Sequence, residues 1–133
     1  MALALRRRRG LGLSATSTLF RASRPLIAEA AARMAAEARE RGSASLTYKP
    51  NTGYLMVVGG STTTMELPSI EGRSPPAEWV LERLVRFLAV SLGVPFFRLI
   101  EATNRGRKYR SDGYELEAWV DDSGVLHVDL RHA

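Results

Sequence analysis

The sequence predicts a single α+β domain in the order α-β-β-β-α-β-β-β, with a mainly antiparallel sheet and both helices packed on one face. Three observations support this fold class. Two segments with helical periodicity each precede a group of short alternating runs, and turns rich in glycine or proline separate those runs. The length of 133 residues, 45% of them hydrophobic, allows one core of modest size.

The two predicted helices differ in the width of their apolar side. The first covers roughly residues 24–41, with Pro25 in its first turn and Gly42 as the stop. Its apolar side is mostly alanine, which lets another element approach closely but buries little area per residue, so we expect this helix to be peripheral. The second helix, about residues 76–92, has a broad leucine-rich side, ends at Gly93 and is expected to organise the core.

Six strands are predicted, in two groups of three. They are residues 45–49, 54–58 and 62–67, and then 96–103, 113–120 and 125–131. Gly59 and Gly60 are interpreted as a hairpin turn rather than a phosphate-binding loop, because strands lie on both sides. Residues 61–64, one serine and three threonines, are therefore interpreted as strand residues rather than as nucleophiles.

The final hairpin can be predicted to the level of register. A three-residue turn, 122–124, with Gly124 in the left-handed conformation, closes the pair Asp121 and Val125. On the buried face this register pairs Val120 with Leu126, Ala118 with Val128, and Leu116 with Leu130; on the other face it pairs Trp119 with His127 and Glu115 with Arg131. Apolar alternation and turn chemistry thus predict the same pairing.

The net charge of +5 is concentrated at the N-terminus. Residues 1–24 contain six arginines and no acidic residue, whereas residues 25–133 contain 13 basic and 14 acidic side chains. The predicted domain is therefore nearly neutral, and its composition does not indicate a general nucleic-acid-binding surface. Cysteine is absent, which excludes disulfides, thiolate metal sites and thiol nucleophiles.

Residues 1–24 are interpreted as an organellar transit peptide or a disordered basic arm, and residues 25–133 as the domain. Arginine and serine enrichment without acids is typical of transit peptides. The residues predicted to carry the targeting signal are Arg6, Arg7, Arg8, Arg9 and Arg21. The early arginines favour the mitochondrial matrix over the plastid stroma, and a matrix protease that prefers arginine two positions before its cut could cleave after Ala22.

Other interpretations of this segment stay open. The arginines could form a nuclear signal or an RNA-binding arm, the start codon could be misassigned, and a retained arm would place the protein in the cytoplasm. A secretory signal is disfavoured because no long apolar run follows the arginines. No transmembrane segment is predicted, because the most apolar window is interrupted by charged residues, glycine and proline.

The segment 103–113 is the one basic cluster of the predicted domain, and we interpret it as a loop. The candidate nucleic-acid-binding residues are Arg105, Arg107, Lys108, Tyr109 and Arg110, which could bind phosphates and stack on a base. The simpler interpretation is a solvated hairpin tip, since Asp112 and Glu101 lie close in sequence.

Few residues suggest catalysis. His127 could pair with Glu117 or Asp129 as a general base, but a surface pair with Trp119 explains it more simply. The alternation of the strand places His132 on the opposite face from His127, so the two histidines do not predict a metal site. Asp121 and Asp122 fit a turn for backbone reasons alone. No cofactor, metal or catalytic residue is predicted, and no nucleotide-binding or hydrolase motif occurs.

The leading functional hypothesis is a non-catalytic binding or assembly protein, imported into an organelle as an accessory subunit of a larger mitochondrial complex. The alternatives are an RNA- or ribosome-binding protein that uses the 103–113 segment, and a small enzyme of unknown reaction. The expected partner is a protein or larger complex, RNA is an alternative partner, and a homodimer could form through the exposed sheet face.

Overall fold

The structure, a computed structural model, describes the backbone of residues 2–133 and the side chains of residues 18–133. Its elements are α1 (Ala2–Arg41), β1 (Ser43–Lys49), β2 (Tyr54–Val58), β3 (Thr62–Glu66), α2 (Ala77–Leu92), β4 (Arg98–Ala102), β5 (Gly106–Ser111), β6 (Tyr114–Val120) and β7 (Leu126–His132). The single α+β domain and the predicted order of elements are confirmed. A fourth strand, β5, follows α2 in the segment that we expected to be a loop.

All seven strands form one antiparallel sheet in the order β3-β2-β1-β7-β6-β5-β4. The first and last strands of the chain, β1 and β7, therefore pair near the centre. Both helices cover one face, where side chains such as Leu46, Leu116 and Val128 are buried. We call the other side the open face; it carries the residues that alternate with these, including Trp119 and His127.

Helix α1 begins at Ala2 in the structure, so the expected start near residue 24 is wrong. Pro25 lies inside the helix, where it cannot donate the backbone hydrogen bond of that position. Packing on the N-terminal side of the proline offsets this loss. Leu19 and Ser23 are buried, the Ser23 hydroxyl donates to the carbonyl oxygen of Leu19 at 2.8 Å, and the Phe20 ring stacks on Trp79 with centroids 4.4 Å apart.

Helix α1 is not peripheral, although we expected it to be. Helix α1 lies over β1, β2 and β7 and packs along α2, which itself buries Val80, Leu84 and Leu88. The buried side of α1 includes Ile27, Ala30, Ala31, Met34 and Ala38, none of which is accessible to solvent. The small side chains of this side allow the expected close approach, to the sheet and to α2. The two helices run parallel, since their N-terminal contact is Phe20–Trp79, and near their C-terminal ends Arg39 Nη2 donates to the Ser91 carbonyl.

The register predicted for the last hairpin is confirmed at all five residue pairs. Gly124 has a φ of 83°, and the Gly124 amide donates to the carbonyl oxygen of Asp121 at 2.9 Å. One detail differs, because Val120 is 46% exposed rather than buried. It is the last residue of β6 and lies beyond the part of the sheet that the helices cover.

The turn between β2 and β3 contains Gly59 and Gly60, as expected. The Gly60 amide donates to Oε2 of Glu37 on α1 at 2.7 Å, and Glu37 also contacts Arg41. These glycines therefore bring a hairpin turn close to helix α1. Neither of the two helices, over the residues that the structure describes, contains a stretch long and apolar enough to cross a membrane.

Candidate functional site

Strand β5 distributes the predicted nucleic-acid-binding residues over two faces of the sheet. Arg107 and Tyr109 pair with Ala118 and Leu116 and therefore lie on the helix side, because those two partners are buried there. Lys108 and Arg110 alternate with them on the open face, opposite Glu117 and Glu115. Arg105 lies in the turn between β4 and β5. The structure thus does not bring the five residues together as one basic patch.

Three of the four cations in this segment have a carboxylate partner. Arg107 Nη2 donates to Oε1 of Glu78 at 2.8 Å, and this hydrogen bond is the main cause that raises the pKa of Arg107 above its usual value. Lys108 Nζ lies 3.5 Å from Oε2 of Glu101, and Arg110 Nη2 lies 3.4 Å from Oε1 of Glu115. Within the described part of the chain, the Arg105 guanidinium has no such partner.

A cleft lies beside Trp119. Its volume is about 340 Å³, and it lies between the β4–β5 turn and the end of β6. The indole stacks on His127 with centroids 5.2 Å apart and an interplanar angle of 13°. On its other side the sheet neighbour is Gly106, which has no side chain, so we conclude that the second face of the indole is left open to the cleft.

The charges that line this cleft are mixed, with a surplus of carboxylates. The charged lining residues are Glu101, Glu117, Asp121 and Asp122 among the acids and Arg105, Arg107 and Lys108 among the bases. Glu101 is paired with Lys108, Arg107 with Glu78 outside the cleft, and Asp121 with His127. Of the described lining residues, only Glu117, Asp122 and Arg105 have charged groups that contact neither an opposite charge nor a histidine.

A second cavity of about 230 Å³ adjoins the first around Gly106 and Trp119. It extends toward the start of α2, where Ala77, Glu78 and Leu81 line it. The end of the sheet between the β4–β5 turn and the β6–β7 turn therefore has a cavity on both faces. Gly106 maintains this shape, because a Cβ at that position would lie 2.5 Å from the carbonyl oxygen of Ala118.

His127 is held by the hairpin turn and not by the acids that we considered as catalytic partners. Its Nε2 lies 2.8 Å from Oδ2 of Asp121. Asp129 accepts a hydrogen bond from the Ser45 hydroxyl at 2.9 Å. The His132 ring makes an edge contact with Tyr114, with centroids 4.8 Å apart. Residues 18–133 contain no group of three side chains placed to bind a metal ion.

The predicted targeting residues lie mostly outside the described side chains. This applies to Arg6, Arg7, Arg8 and Arg9, whereas Arg21 is described and exposed. Near Arg21, the Phe20 ring stacks on Trp79 of α2, and Leu19 and Ser23 are buried. The Trp79 ring lies between Phe20 and the Arg83 guanidinium, which is 4.6 Å from the ring centroid.

Comparisons of the chain with protein-family models, with curated proteins and with solved structures found no match.

Proposed function

We propose that this chain is a non-catalytic binding protein, an accessory subunit that docks on a larger assembly by accepting a basic side chain of a protein partner in the Trp119 cleft. The observation that supports this proposal is the combination of an open indole face with unpaired carboxylates. Of the described cleft residues without an ionic partner, Glu117 and Asp122 are negative and Arg105 is positive. A surplus negative charge beside an aromatic face favours a cation.

An arginine or lysine side chain suits this environment for two physical reasons. The face of an indole carries negative electrostatic potential and attracts a cation placed within about 6 Å of its centroid. The carboxylates of Glu117 and Asp122 can then accept hydrogen bonds from the same cation. Gly106 leaves room for that side chain, because any larger residue would occupy the space beside Trp119.

RNA, the alternative partner, is less well supported by the same residues. Phosphate binding requires unpaired cations on one surface, but Arg107 lies on the helix side and Lys108 and Arg110 each contact a carboxylate. A single unpaired cation, Arg105, stands at the cleft against two unpaired acids. RNA binding through Arg105 is therefore the competing outcome of the test.

We further propose that the basic N-terminal segment directs the protein to the mitochondrial matrix, with the plastid stroma as the alternative destination. The support is compositional: six arginines and no acid precede residue 25. A fluorescent reporter fused to residues 1–30 tests this address. Accumulation in mitochondria supports it, and a reporter that stays in the cytosol contradicts it.

The cleft is tested by nuclear magnetic resonance on the ¹⁵N-labelled protein. Two tryptophan indole N–H signals are expected, and the variant Trp79→Phe assigns the signal of Trp119. The probes are a short peptide of alternating arginine and glycine, the same peptide with glutamate in place of arginine, and a single-stranded RNA of similar length. We expect the arginine peptide to shift the Trp119 signal and the glutamate peptide to leave it unchanged.

Matched variants identify the groups responsible. The double variant Glu117→Gln/Asp122→Asn should weaken binding of the arginine peptide several-fold. The control Glu66→Gln/Glu71→Gln removes the same charge from exposed positions outside the cleft and should leave binding nearly unchanged. An arginine peptide that leaves the Trp119 signal unshifted, or that binds equally to both double variants, contradicts the proposal. RNA binding that is lost in Arg105→Gln would favour the RNA alternative instead.

A further inference from the structure

The indole of Trp119 lies between His127 and the cleft. The imidazole of His127 stacks on one face of the indole, with centroids 5.2 Å apart and an interplanar angle of 13°. The other indole face borders the cleft, because the sheet neighbour on that side is Gly106. A cation bound on this second face, within hydrogen-bonding reach of the cleft carboxylates, would lie roughly 10 Å from the imidazole across the indole.

His127 is the histidine whose charge can act on the cleft. Imidazole is the side chain that ordinarily gains and loses a proton between about pH 5 and pH 8. The protein has two histidines, and the other one, His132, contacts the buried Tyr114 at the far end of β7. A change of pH in this range therefore alters the charge beside Trp119 through His127.

Asp121 connects the charge of His127 to the cleft. Asp121 lines the cleft, and its Oδ2 lies 2.8 Å from Nε2 of His127. The hydrogen bond to His127, followed by that from Val125, lowers the pKa of Asp121, so this carboxylate stays ionised above about pH 5. The Asp121–His127 pair therefore has a net negative charge when the imidazole is neutral and no net charge when it is protonated.

The other charged groups around His127 on the open face belong to other chemical classes. Thr47 of β1 stands directly opposite the histidine and has no charge. The charged neighbours are Lys49 of β1, Glu117 of β6, Asp121 and Asp122 of the turn, and Asp129 of β7. Carboxyl groups usually titrate near pH 4 and ammonium groups near pH 10, so the imidazole is the group here that responds between about pH 5.5 and 8.5.

We infer that the Asp121–His127 pair makes the Trp119 cleft sensitive to pH, so that a basic side chain binds more tightly when the imidazole is neutral than when it is protonated. This inference rests on the proposed function, because it concerns the same cleft and the same class of partner. Two effects act in one direction. Protonation cancels one negative charge at the cleft, and it places a cation on the far face of the indole, which then attracts a second cation less strongly.

The expected effect is moderate because the cleft is open to solvent. Two unit charges roughly 10 Å apart near a protein surface repel each other enough to change affinity about three- to tenfold. Salt screens this repulsion, so the effect should decrease as the ionic strength rises. The coupling is reciprocal, and a bound cation should therefore move the titration of the imidazole to lower pH by about 0.5 to 1 unit.

The arginine peptide described above tests the inference, with its ends blocked so that it has no titrating group. Its affinity is measured from the Trp119 indole signal between about pH 5.5 and 8.5 at a constant, low ionic strength. We expect the affinity to fall about three- to tenfold from the highest to the lowest pH. His127→Gln should remove most of this dependence, whereas the matched control His132→Gln should keep it.

The titration of the imidazole in the wild type gives a second readout that does not depend on the folding of a variant. The ring proton signals of His127 are followed against pH without peptide and with saturating peptide, and the spectrum of His132→Gln assigns them. We expect the midpoint to move to lower pH by about 0.5 to 1 unit when the peptide is bound. A purely structural role of His127 would not produce this shift.

The outcomes distinguish this inference from the proposed function. An arginine peptide that leaves the Trp119 signal unshifted at every pH contradicts the proposed function and this inference with it. Affinities that are equal at the two ends of the pH range overturn the inference alone, and so does a folded His127→Gln protein that keeps the wild-type dependence. An imidazole midpoint that the bound peptide leaves unchanged has the same consequence.

Discussion

Asp121 and His127 are linked across the β6–β7 turn by a contact of 2.8 Å between the Asp121 Oδ2 and the His127 Nε2. The other carboxylate oxygen accepts hydrogen bonds from the amides of Ser123 and Val125 at 2.8 and 3.1 Å. The bond to His127, followed by that from Val125, lowers the pKa of Asp121 below its usual value. One carboxylate thus joins the turn to the imidazole that stacks on Trp119.

This arrangement predicts a specific acid sensitivity. A carboxyl group whose pKa is lower in the folded state stabilises the fold above its unfolded pKa, and that contribution is lost as pH falls through the folded pKa. We expect Asp121→Asn to reduce the loss of stability below about pH 4, measured as the urea midpoint against pH. The neighbour Asp122→Asn is the control and should keep the wild-type slope. Identical slopes for Asp121→Asn and the wild type would contradict this assignment.

Removing the buried hydroxyl of Tyr48 is expected to destabilise the folded state. It donates to the carbonyl oxygen of Pro75 at 2.5 Å, and burial raises the pKa of Tyr48 above its usual value. Tyr48→Phe leaves that carbonyl without its partner and should lower the free energy of unfolding by about 1–2 kcal/mol in chemical denaturation. Tyr54→Phe, at a 37% exposed position, should change it by less than about 0.5 kcal/mol. Equal effects of the two substitutions would show that the Tyr48 bond contributes nothing.

Truncation at two points should locate the true start of the folded unit. Deleting residues 2–17 keeps Leu19, Phe20 and Ser23, which contact the domain. Deleting residues 2–22 removes the first two and should cost roughly 3 kcal/mol, because their buried apolar surface is lost. Denaturant unfolding of the two purified proteins measures the difference, and equal stabilities would refute it. We accordingly expect any processed form to begin before Leu19 and not at Ser23.

Replacement of Pro25 is expected to stabilise the folded state. Its ring is exposed, so replacement does not disturb the core, and the lost backbone hydrogen bond to the carbonyl of Arg21 can be restored. We expect Pro25→Ala to raise the free energy of unfolding by about 1–3 kcal/mol in the full-length chain. The exposed neighbour Arg24→Ala serves as a control, with a change below about 0.5 kcal/mol. A neutral or destabilising Pro25→Ala would argue against an unbroken helix at this point.

The parts of the fold that were predictable depend on local signals. The register of the last hairpin follows from one left-handed glycine, Gly124, together with apolar alternation, and both lie within a few residues of the pairs that they determine. The end of α2 is similarly local, since Gly93 adopts a φ of 71°. Where the determinant and its effect were adjacent in sequence, the prediction was confirmed.

The errors occurred where the determinant is distant in sequence. Pro25 is a sound local signal for a helix start, but Phe20 contacts Trp79, 59 positions away, and this packing extends the helix. Strand β5 is rich in charged residues and lies next to the edge strand β4. Its sequence has no apolar alternation that would predict a strand, so it could be recognised only from its pairing with β6. The Trp119 cleft exists because Gly106 becomes its sheet neighbour, which could be recognised only once β5 was identified as a strand.

The position of β7 beside β1 has a consequence for biogenesis. Because β7 completes the middle of the sheet, β1 has no partner on that side until residues 126–132 have emerged from the ribosome. The native core therefore cannot close while only the first six strands have been synthesised.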